Sequence, residues 1–280
     1  MDGVNYKRAM ARHKTVPDES HIRACFEAYR ENGIGFVRDG GDAYGVSSLA
    51  RHIASEYGID YRTPLFAIHK RGHYGGIVGY AFDDLRGYAE LVGQAREQGA
   101  DFIKIMTTGI MDFNVFGRIT HEDLKPAEVR EMVHIAHEYG MAVMSHTNGK
   151  RAVLAALEAS VDSVEHGNYV DGECVDALFE AHACFVPTAA VARNLRGRGL
   201  FDENVLERIY AASLETIAAA AQKGCLLAVG SDAGAVGVPH GTGAHDEYAC
   251  FEEAIPDAIL RDECIERGNA FIRATFQRSK

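Results

Sequence analysis

An alternation of short apolar runs with amphipathic, helix-period stretches is the feature that most constrains the fold of this chain. The alternation fills residues 34–234, and helices are predicted at 18–31, 85–98, 126–139, 150–159, 173–181 and 205–223. The apolar runs have the length of strands and lie at 34–38, 64–68, 102–106, 142–145, 163–165, 184–186 and 226–230. Strands that alternate with helices are typical of βαβ units, so the sequence predicts an α/β fold with a parallel sheet.

The strand count and the length of the chain indicate one kind of architecture. A TIM-type (β/α)8 barrel needs about 250 residues, and no linker divides the 280 residues here, so we expect a single domain over residues 1–280. Only seven strands are recognisable, and the first clear element, at 18–31, is a helix. We therefore expect a barrel that is incomplete at its N-terminus. Open sheet edges in such a barrel would favour a homo-oligomer.

Composition and charge argue against several classes of partner. Lys and Arg number 29 and Asp and Glu number 40, and the resulting net charge of −11 is unsuited to binding nucleic acid. No apolar run reaches the roughly 18 residues of a membrane span, and the N-terminus has no signal-peptide pattern. The six cysteines are scattered, which predicts reduced, mostly buried thiols. We expect a cytoplasmic protein that acts on a small-molecule substrate.

Polar side chains follow strand after strand of the pattern, near the carboxyl end of each strand. They belong to Asp39, His69, His73, Lys104, His146, His166 and Asp232. In a parallel barrel, the carboxyl ends of the strands form the face on which active sites are built. The repetition favours a catalytic or ligand-binding site over a set of unrelated turn residues.

Lys104 lies near the end of the apolar run in GADFIKIMTTG, where burial of an ammonium group costs free energy. One interpretation is a lysine whose charged end reaches solvent at the end of the strand. The other is a reactive lysine with a lowered pKa. Carbon dioxide can convert such an amine to a carbamate, whose oxygens can bridge two metal ions.

His146, in MAVMSHTNG, and His166, in VDSVEHGNYVD, end successive strands. Either imidazole alone is consistent with a structural hydrogen bond, but the pair following a lysine-bearing strand favours ligands for zinc or a similar ion. Glu165 is expected to point to the opposite side of its strand from His166, so it is not predicted as a ligand. Asp232, in LLAVGSDAG, can cap a turn, and it can also bind a metal and accept a proton from water.

These segments together resemble the amidohydrolase superfamily, in its imidazolonepropionase-like and prolidase-like branch. The phrases that carry the resemblance are GIGFVRDGGD, GADFIKIMTTG, MSHTNG, VDSVEHGNYVDGE, CFVPT and AVGSDAG followed by VPHG, over roughly residues 18–245. The resemblance implies one or two divalent metals per chain, zinc above all. It implies that the more buried metal is bound by Lys104 (usually carboxylated), His146 and His166. Asp232 would bind the more exposed metal and be the catalytic base, and His73 and His240 would lie on the substrate side.

The chain departs from that branch in three ways. The branch opens with a strand that carries His-x-His, and this sequence contains no His-x-His. Asn148 stands where the branch usually has a histidine, and no flanking β-domain is recognisable. Omission of the first strand would explain both the strand count and the missing histidines.

Residues and resemblance together predict a metal-dependent hydrolase that cleaves an amide or peptide-like carbon–nitrogen bond of a small molecule. Asp232 would be the base for a metal-activated water. Two alternatives stay open. One is a catalytically impaired or truncated barrel that only binds metal or ligand, and the other is a metal-dependent deaminase, because a fold does not fix a reaction.

Overall fold

The computed structural model describes residues 1–278 and consists of helices that alternate with short parallel strands. In chain order the elements are α1 (Tyr6–His13), α2 (Glu19–Glu31), β1 (Phe36–Arg38), α3 (Val46–Ala54), a 3-10 turn (Ser55–Tyr57), β2 (Asp60–Arg62), β3 (Ala67–Lys70), β4 (Gly79–Phe82), α4 (Leu85–Glu97), β5 (Ile103–Met106), α5 (Pro126–Glu138), β6 (Val143–Thr147), α6 (Lys150–Glu158), β7 (Ser163–His166), α7 (Gly172–Ala181), β8 (Cys184–Val186), α8 (Ala190–Leu195), α9 (Glu203–Lys223), β9 (Leu226–Leu227), α10 (Thr242–Ala254) and α11 (Ala258–Thr275).

The main sheet has seven strands in the order β4-β3-β5-β6-β7-β8-β9, and every pairing in it is parallel. Helices separate the strands from β4 onward, as the alternation in the sequence predicts. The prediction of an α/β fold with a parallel sheet is confirmed. Within residues 1–278, β4 and β9 form the two ends of this sheet and are not paired with each other.

Three strands, β1, β2 and β4, differ from the prediction, and β2 and β4 were not predicted at all. The run predicted at 34–38 folds as β1, but β1 pairs with β2 in a separate two-stranded sheet. The remaining strand of the main sheet is β4, which lies beside β3. A Cβ at Gly79, the first residue of β4, would lie 1.7 Å from the carbonyl oxygen of Ala67, so only glycine permits this close pairing. The apolar run IVGYAF at 77–82 contains β4, but it was not predicted as a strand.

Two apolar clusters cover opposite faces of the main sheet. One packs the outward side chains of the strands, such as Ile105 and Phe185, against the surrounding helices. The other covers the opposite face, here called the inner face, and its buried members are Phe102, Met144, Cys184, Val186, Ala228, Ile272 and Phe276. Because side chains alternate along a strand, Lys104 and His146, two places after Phe102 and Met144, also lie on the inner face.

Aspartate side chains fix the starts of five helices. The N-caps Asp18, Asp84, Asp171, Asp202 and Asp257 accept hydrogen bonds from backbone N–H groups in the first turns of α2, α4, α7, α9 and α11. Such a cap satisfies donors that the helix itself leaves unpaired. The sequence predicted four of these helices, α2, α4, α7 and α9, and the caps explain why their predicted starts fall within two residues of the observed ones. The helix α11 was not predicted.

The thiols bear out one further prediction. All six cysteines are free, and five of them are buried. None of the helices in residues 1–278 is long and apolar enough to cross a membrane.

Candidate active site

Lys104 lies on the inner face of β5 and is 6% exposed. Its ammonium group makes no hydrogen bond or ion pair with any of residues 1–278. Burial lowers the pKa of this amine to about 8, the Glu165 carboxylate opposes the shift, and the Arg38 guanidinium adds to it. A buried amine without a partner is costly, and its lowered pKa gives it a nucleophilic neutral form near neutral pH.

His146 and His166 meet at the carboxyl ends of β6 and β7. Their rings are nearly perpendicular, with centroids 4.5 Å apart. His146 is buried, and its Nε2–H donates to the carbonyl oxygen of Gly109 at 3.1 Å, which leaves the lone pair on Nδ1. Burial holds the pKa of His146 well below its ordinary value, and the charges of His166 and Lys104 add to this effect. Burial also lowers the pKa of His166 to about 3, again with a contribution from Lys104, so both imidazoles are neutral at neutral pH.

Asp232 lies in the loop that follows β9 and has a left-handed backbone, with φ of +54°. The residue is exposed. Partial desolvation by neighbouring residues raises the pKa of the Asp232 carboxyl, and the positive charge of Lys104 opposes the rise. Aspartate is one of the few residues other than glycine that tolerate this backbone conformation.

The donor chemistry fits a metal ion only when Lys104 is counted as a ligand. Neutral imidazole nitrogens are good zinc ligands, and His146 Nδ1 has no protein partner within residues 1–278. Among the same residues, however, no group of three or more His, Cys, Asp or Glu side chains is arranged to hold a metal. A third position would have to come from Lys104, whose amine would become an anionic oxygen donor if it were carboxylated.

The two predicted substrate-side histidines have different surroundings. The Nδ1–H of His73, in the loop after β3, donates to the carbonyl oxygen of Glu122 at 3.1 Å. His240 is bound on both sides, because the Tyr29 hydroxyl lies 2.8 Å from its Nδ1 and its Nε2–H donates to the carbonyl oxygen of Met1 at 3.1 Å. Burial lowers the pKa of His240 to about 4. A role of either histidine in substrate binding stays a prediction.

Glu165 lies on the inner face, and the expectation that it points away from the site is wrong. Its carboxylate forms an ion pair with Arg38 at 2.8 Å and accepts a hydrogen bond from the Ser163 hydroxyl at 2.6 Å. The prediction assumed that His166 continues the extended strand. His166 instead has a φ of +72°, so its ring turns toward His146 on the side that also carries Glu165.

Tyr74 is a further residue of the site, which the sequence pattern did not single out. Its ring lies against that of His146, with centroids 5.2 Å apart, and its hydroxyl makes no hydrogen bond with residues 1–278. Burial raises the pKa of this phenol to about 12, with a contribution from the charge of Asp232. The position of Tyr74 next to His73 was the only signal in the sequence that could have identified it.

Comparison with known proteins places these features in a family. The sequence model of the Amidohydrolase family matches residues 18–264. The ochratoxinase of Aspergillus niger is 27% identical over 146 residues, which are 48% of this chain and 29% of that protein. The match therefore spans less than a third of the length of this curated relative.

Solved structures show the same fold. A Xaa-Pro dipeptidase with bound methionine superposes with a TM-score of 0.75 at 23% identity, over 95% of this chain and 73% of the other. The crystal structure of A. niger ochratoxinase superposes with a TM-score of 0.70 at 23% identity, over 91% and 63% of the two chains. The predicted TIM-barrel type of fold is confirmed by these likenesses.

Proposed function

The chain belongs to the amidohydrolase family, and on this premise we propose that it is a metal-dependent hydrolase of a carbon–nitrogen bond. The scissile bond is an amide or peptide-like bond of a small molecule. The names of similar proteins, a Xaa-Pro dipeptidase and an ochratoxinase, support this reaction class.

The observation that carries the proposal is the electrostatic coupling of four groups that come from separate strands. The charge of Lys104 on β5 lowers the pKa of His146 on β6 and of His166 on β7, and it also lowers that of Asp232 after β9. Four titratable groups within reach of one another at one end of a parallel sheet are typical of a catalytic centre.

Lys104, His146 and His166 would hold a divalent metal, with zinc as the expected ion, and Asp232 would bind on the more exposed side. When bound, such a metal lowers the pKa of a water molecule and polarises the scissile carbonyl. Lys104 contributes through its neutral amine, which attacks carbon dioxide, forms an N–C bond and releases a proton. The resulting carbamate is an anion, and this removes the cost of a buried ammonium group.

In this proposal Asp232 transfers the proton and Tyr74 binds the substrate. The Asp232 carboxylate accepts a proton from the attacking water and then passes this proton to the nitrogen of the leaving amine. The raised pKa of Asp232 suits a group that must both accept and release a proton. Tyr74, whose ring lies against that of His146, would donate a hydrogen bond from its hydroxyl to a substrate oxygen.

The proposal is tested with the full chain, freed of metal by a chelator and reloaded with zinc or manganese. Release of free amine is measured on a panel of N-acyl amino acids and dipeptides that includes a Xaa-Pro dipeptide, and metal content is measured by mass spectrometry. We expect metal-dependent turnover of at least one substrate. In His166→Asn, whose new side chain tolerates a left-handed backbone, metal content and turnover should fall together. His134→Asn, at an exposed position of α5, should leave both unchanged.

A second candidate function is a barrel that binds a ligand or metal without turnover. The observation that favours it is the lack, within residues 1–278, of a third His, Cys, Asp or Glu beside the two histidines. If the reloaded full chain binds metal but turns over none of the panel substrates, this candidate is supported and the hydrolase is contradicted.

A further inference from the structure

Two residues with left-handed backbones touch each other behind the candidate metal centre. His166 has a φ of +72° and Thr188, in the turn after β8, has a φ of +53°. Their side chains meet, with 2.8 Å between His166 Nδ1 and Thr188 Oγ1. A β-branched residue in this conformation is a genuine outlier and persists only when its surroundings hold it there.

Glu247 of α10 holds the Thr188 turn. One carboxyl oxygen, Oε2, accepts a hydrogen bond from the backbone N–H of Ala190 at 2.6 Å. Burial raises the pKa of this carboxyl group, and the backbone N–H groups of Ala190, Ala189 and Thr188 oppose that rise. The side chain is fully buried, and its other oxygen, Oε1, has no hydrogen-bond partner among residues 1–278. Burial of a carboxyl group with an unpaired oxygen is costly, so a requirement at this position must offset the cost.

We propose that Glu247 is a positioning residue that, through the Thr188 turn, fixes the orientation and tautomer of the His166 imidazole. The proposal rests on the proposed function in taking His166 as a metal ligand. With Thr188 Oγ1 held in place, His166 Nδ1–H donates to it and the lone pair of Nε2 faces the site. Outer partners of this kind orient metal-binding histidines and raise their basicity.

A simple helix cap does not account for Glu247. Other helices of this chain are capped by an aspartate that directly precedes them, as Asp171 caps α7 and Asp202 caps α9. The six-residue α8 has no side-chain cap of its own, and its first N–H group, that of Ala190, donates to Glu247, 57 positions along the chain. A local Asp or Ser would have capped α8 but would not have tied the turn to α10.

The test compares variants of the full chain that keep or remove the carboxyl oxygens of Glu247 or the hydroxyl of Thr188. Glu247→Met keeps the volume of the side chain and removes both oxygens, whereas Glu247→Gln keeps one acceptor oxygen. Thr188→Val removes only the hydroxyl that touches His166, and Glu252→Gln changes an exposed carboxylate on the same helix as a matched control. Glu247→Asp, which retracts the oxygens by one methylene, replaces Glu247→Met if the latter does not fold.

The test uses two measurements, the tautomer of His166 and the affinity for zinc, and the first needs no metal. The nitrogen-15 chemical shifts of the His166 ring in metal-free protein report its tautomer, and titration with zinc gives the dissociation constant. We expect the parent ring to be protonated at Nδ1. Glu247→Met and Thr188→Val should each lose this single tautomer and bind zinc about 10- to 100-fold more weakly. The double variant should be no weaker than either single variant, and Glu247→Gln should recover most of the loss.

Ring shifts and zinc affinity that match the parent in folded Glu247→Met or Glu247→Asp would overturn the proposal. Additive losses in the double variant would also contradict it, because the two residues would then act on zinc binding separately. If the parent bound no zinc, the proposed function would fail, but the tautomer of His166 in the metal-free variants would still decide the role of Glu247.

Discussion

The free-energy cost of burying Lys104 is hard to explain unless the residue has a chemical role. An ammonium group buried on the inner face, with no hydrogen bond or ion pair among residues 1–278, opposes folding. Perturbed amines of this kind occur mainly at functional sites, where stability is exchanged for reactivity. The same side chain changes the pKa of three other groups of the site, so a variant at this position separates stability from function.

Lys104→Met should therefore increase the free energy of unfolding while abolishing zinc binding. The parent amine has a folded pKa of about 8 and an unfolded value near 10.5, so its burial is penalised in full below about pH 8. The penalty is relieved as the pH rises from about 8 to 10.5, because the unfolded chain binds the proton that the folded chain has already released. The stability gain of the variant should shrink over that window. Urea denaturation of metal-free protein at several pH values measures this gain, with exposed Lys14→Met as the control.

Asp232→Asn should reduce turnover by about 10² or more, the scale of a lost general base, while zinc binding largely survives. Asparagine preserves the shape of the side chain and tolerates the left-handed backbone, so the variant removes little besides the proton acceptor. Steady-state kinetics and metal analysis check this. Asp83→Asn, which breaks an exposed ion pair with Arg71, should retain parental activity. If turnover of Asp232→Asn stays within a few-fold of the parent, Asp232 is not the catalytic base and serves only as a turn residue.

Secondary-structure elements were predicted most accurately where local chemistry defines them. The helices α4, α5, α6, α7 and α9 begin and end within two residues of the predicted bounds, because caps and helix-period patterns are local. α1 was missed, since its eight residues are mostly polar and its buried face is only Ala9 and His13. The pairing of β1 with β2, and of β4 with β3, depends on which surfaces meet in space, and no local pattern encodes this.

Close backbone packing between α11 and β9 gives a prediction at this scale. A Cβ at Gly268 of α11 would lie 1.9 Å from the carbonyl oxygen of Leu227, just before the loop that carries Asp232. Gly268→Ala should lower the free energy of unfolding by about 1–3 kcal/mol through overpacking, although alanine favours helices. Gly93→Ala in α4, where the nearest atoms are 3.6 Å away, should instead stabilise by about 1 kcal/mol or less. Urea denaturation measures both, and equal effects of the same sign would show that α11 is not so closely packed.

At the scale of the whole molecule, the order of motifs along the chain predicted more of the fold and of the candidate site than any single residue did. The sequence was sufficient to place Lys104, His146 and His166 on three successive strands, because strand periodicity and strand order are both visible in it. The hydrogen bond between Glu247 and Ala190 joins residues 57 positions apart, and the left-handed backbone of His166 brings its ring to the same side of the sheet as Glu165. Contacts of this kind arise only once the sheet and its helices have assembled.

The central claim is that Lys104, His146 and His166 converge on one metal ion. The most direct measurement is a crystal structure of the zinc-loaded full chain with anomalous diffraction recorded at the zinc absorption edge. We predict an anomalous peak about 2.0–2.2 Å from a nitrogen of each histidine and from the Lys104 side chain or its carbamate oxygen. A peak elsewhere in the chain, or zinc-loaded crystals in which these three side chains point apart with no peak between them, would contradict the claim.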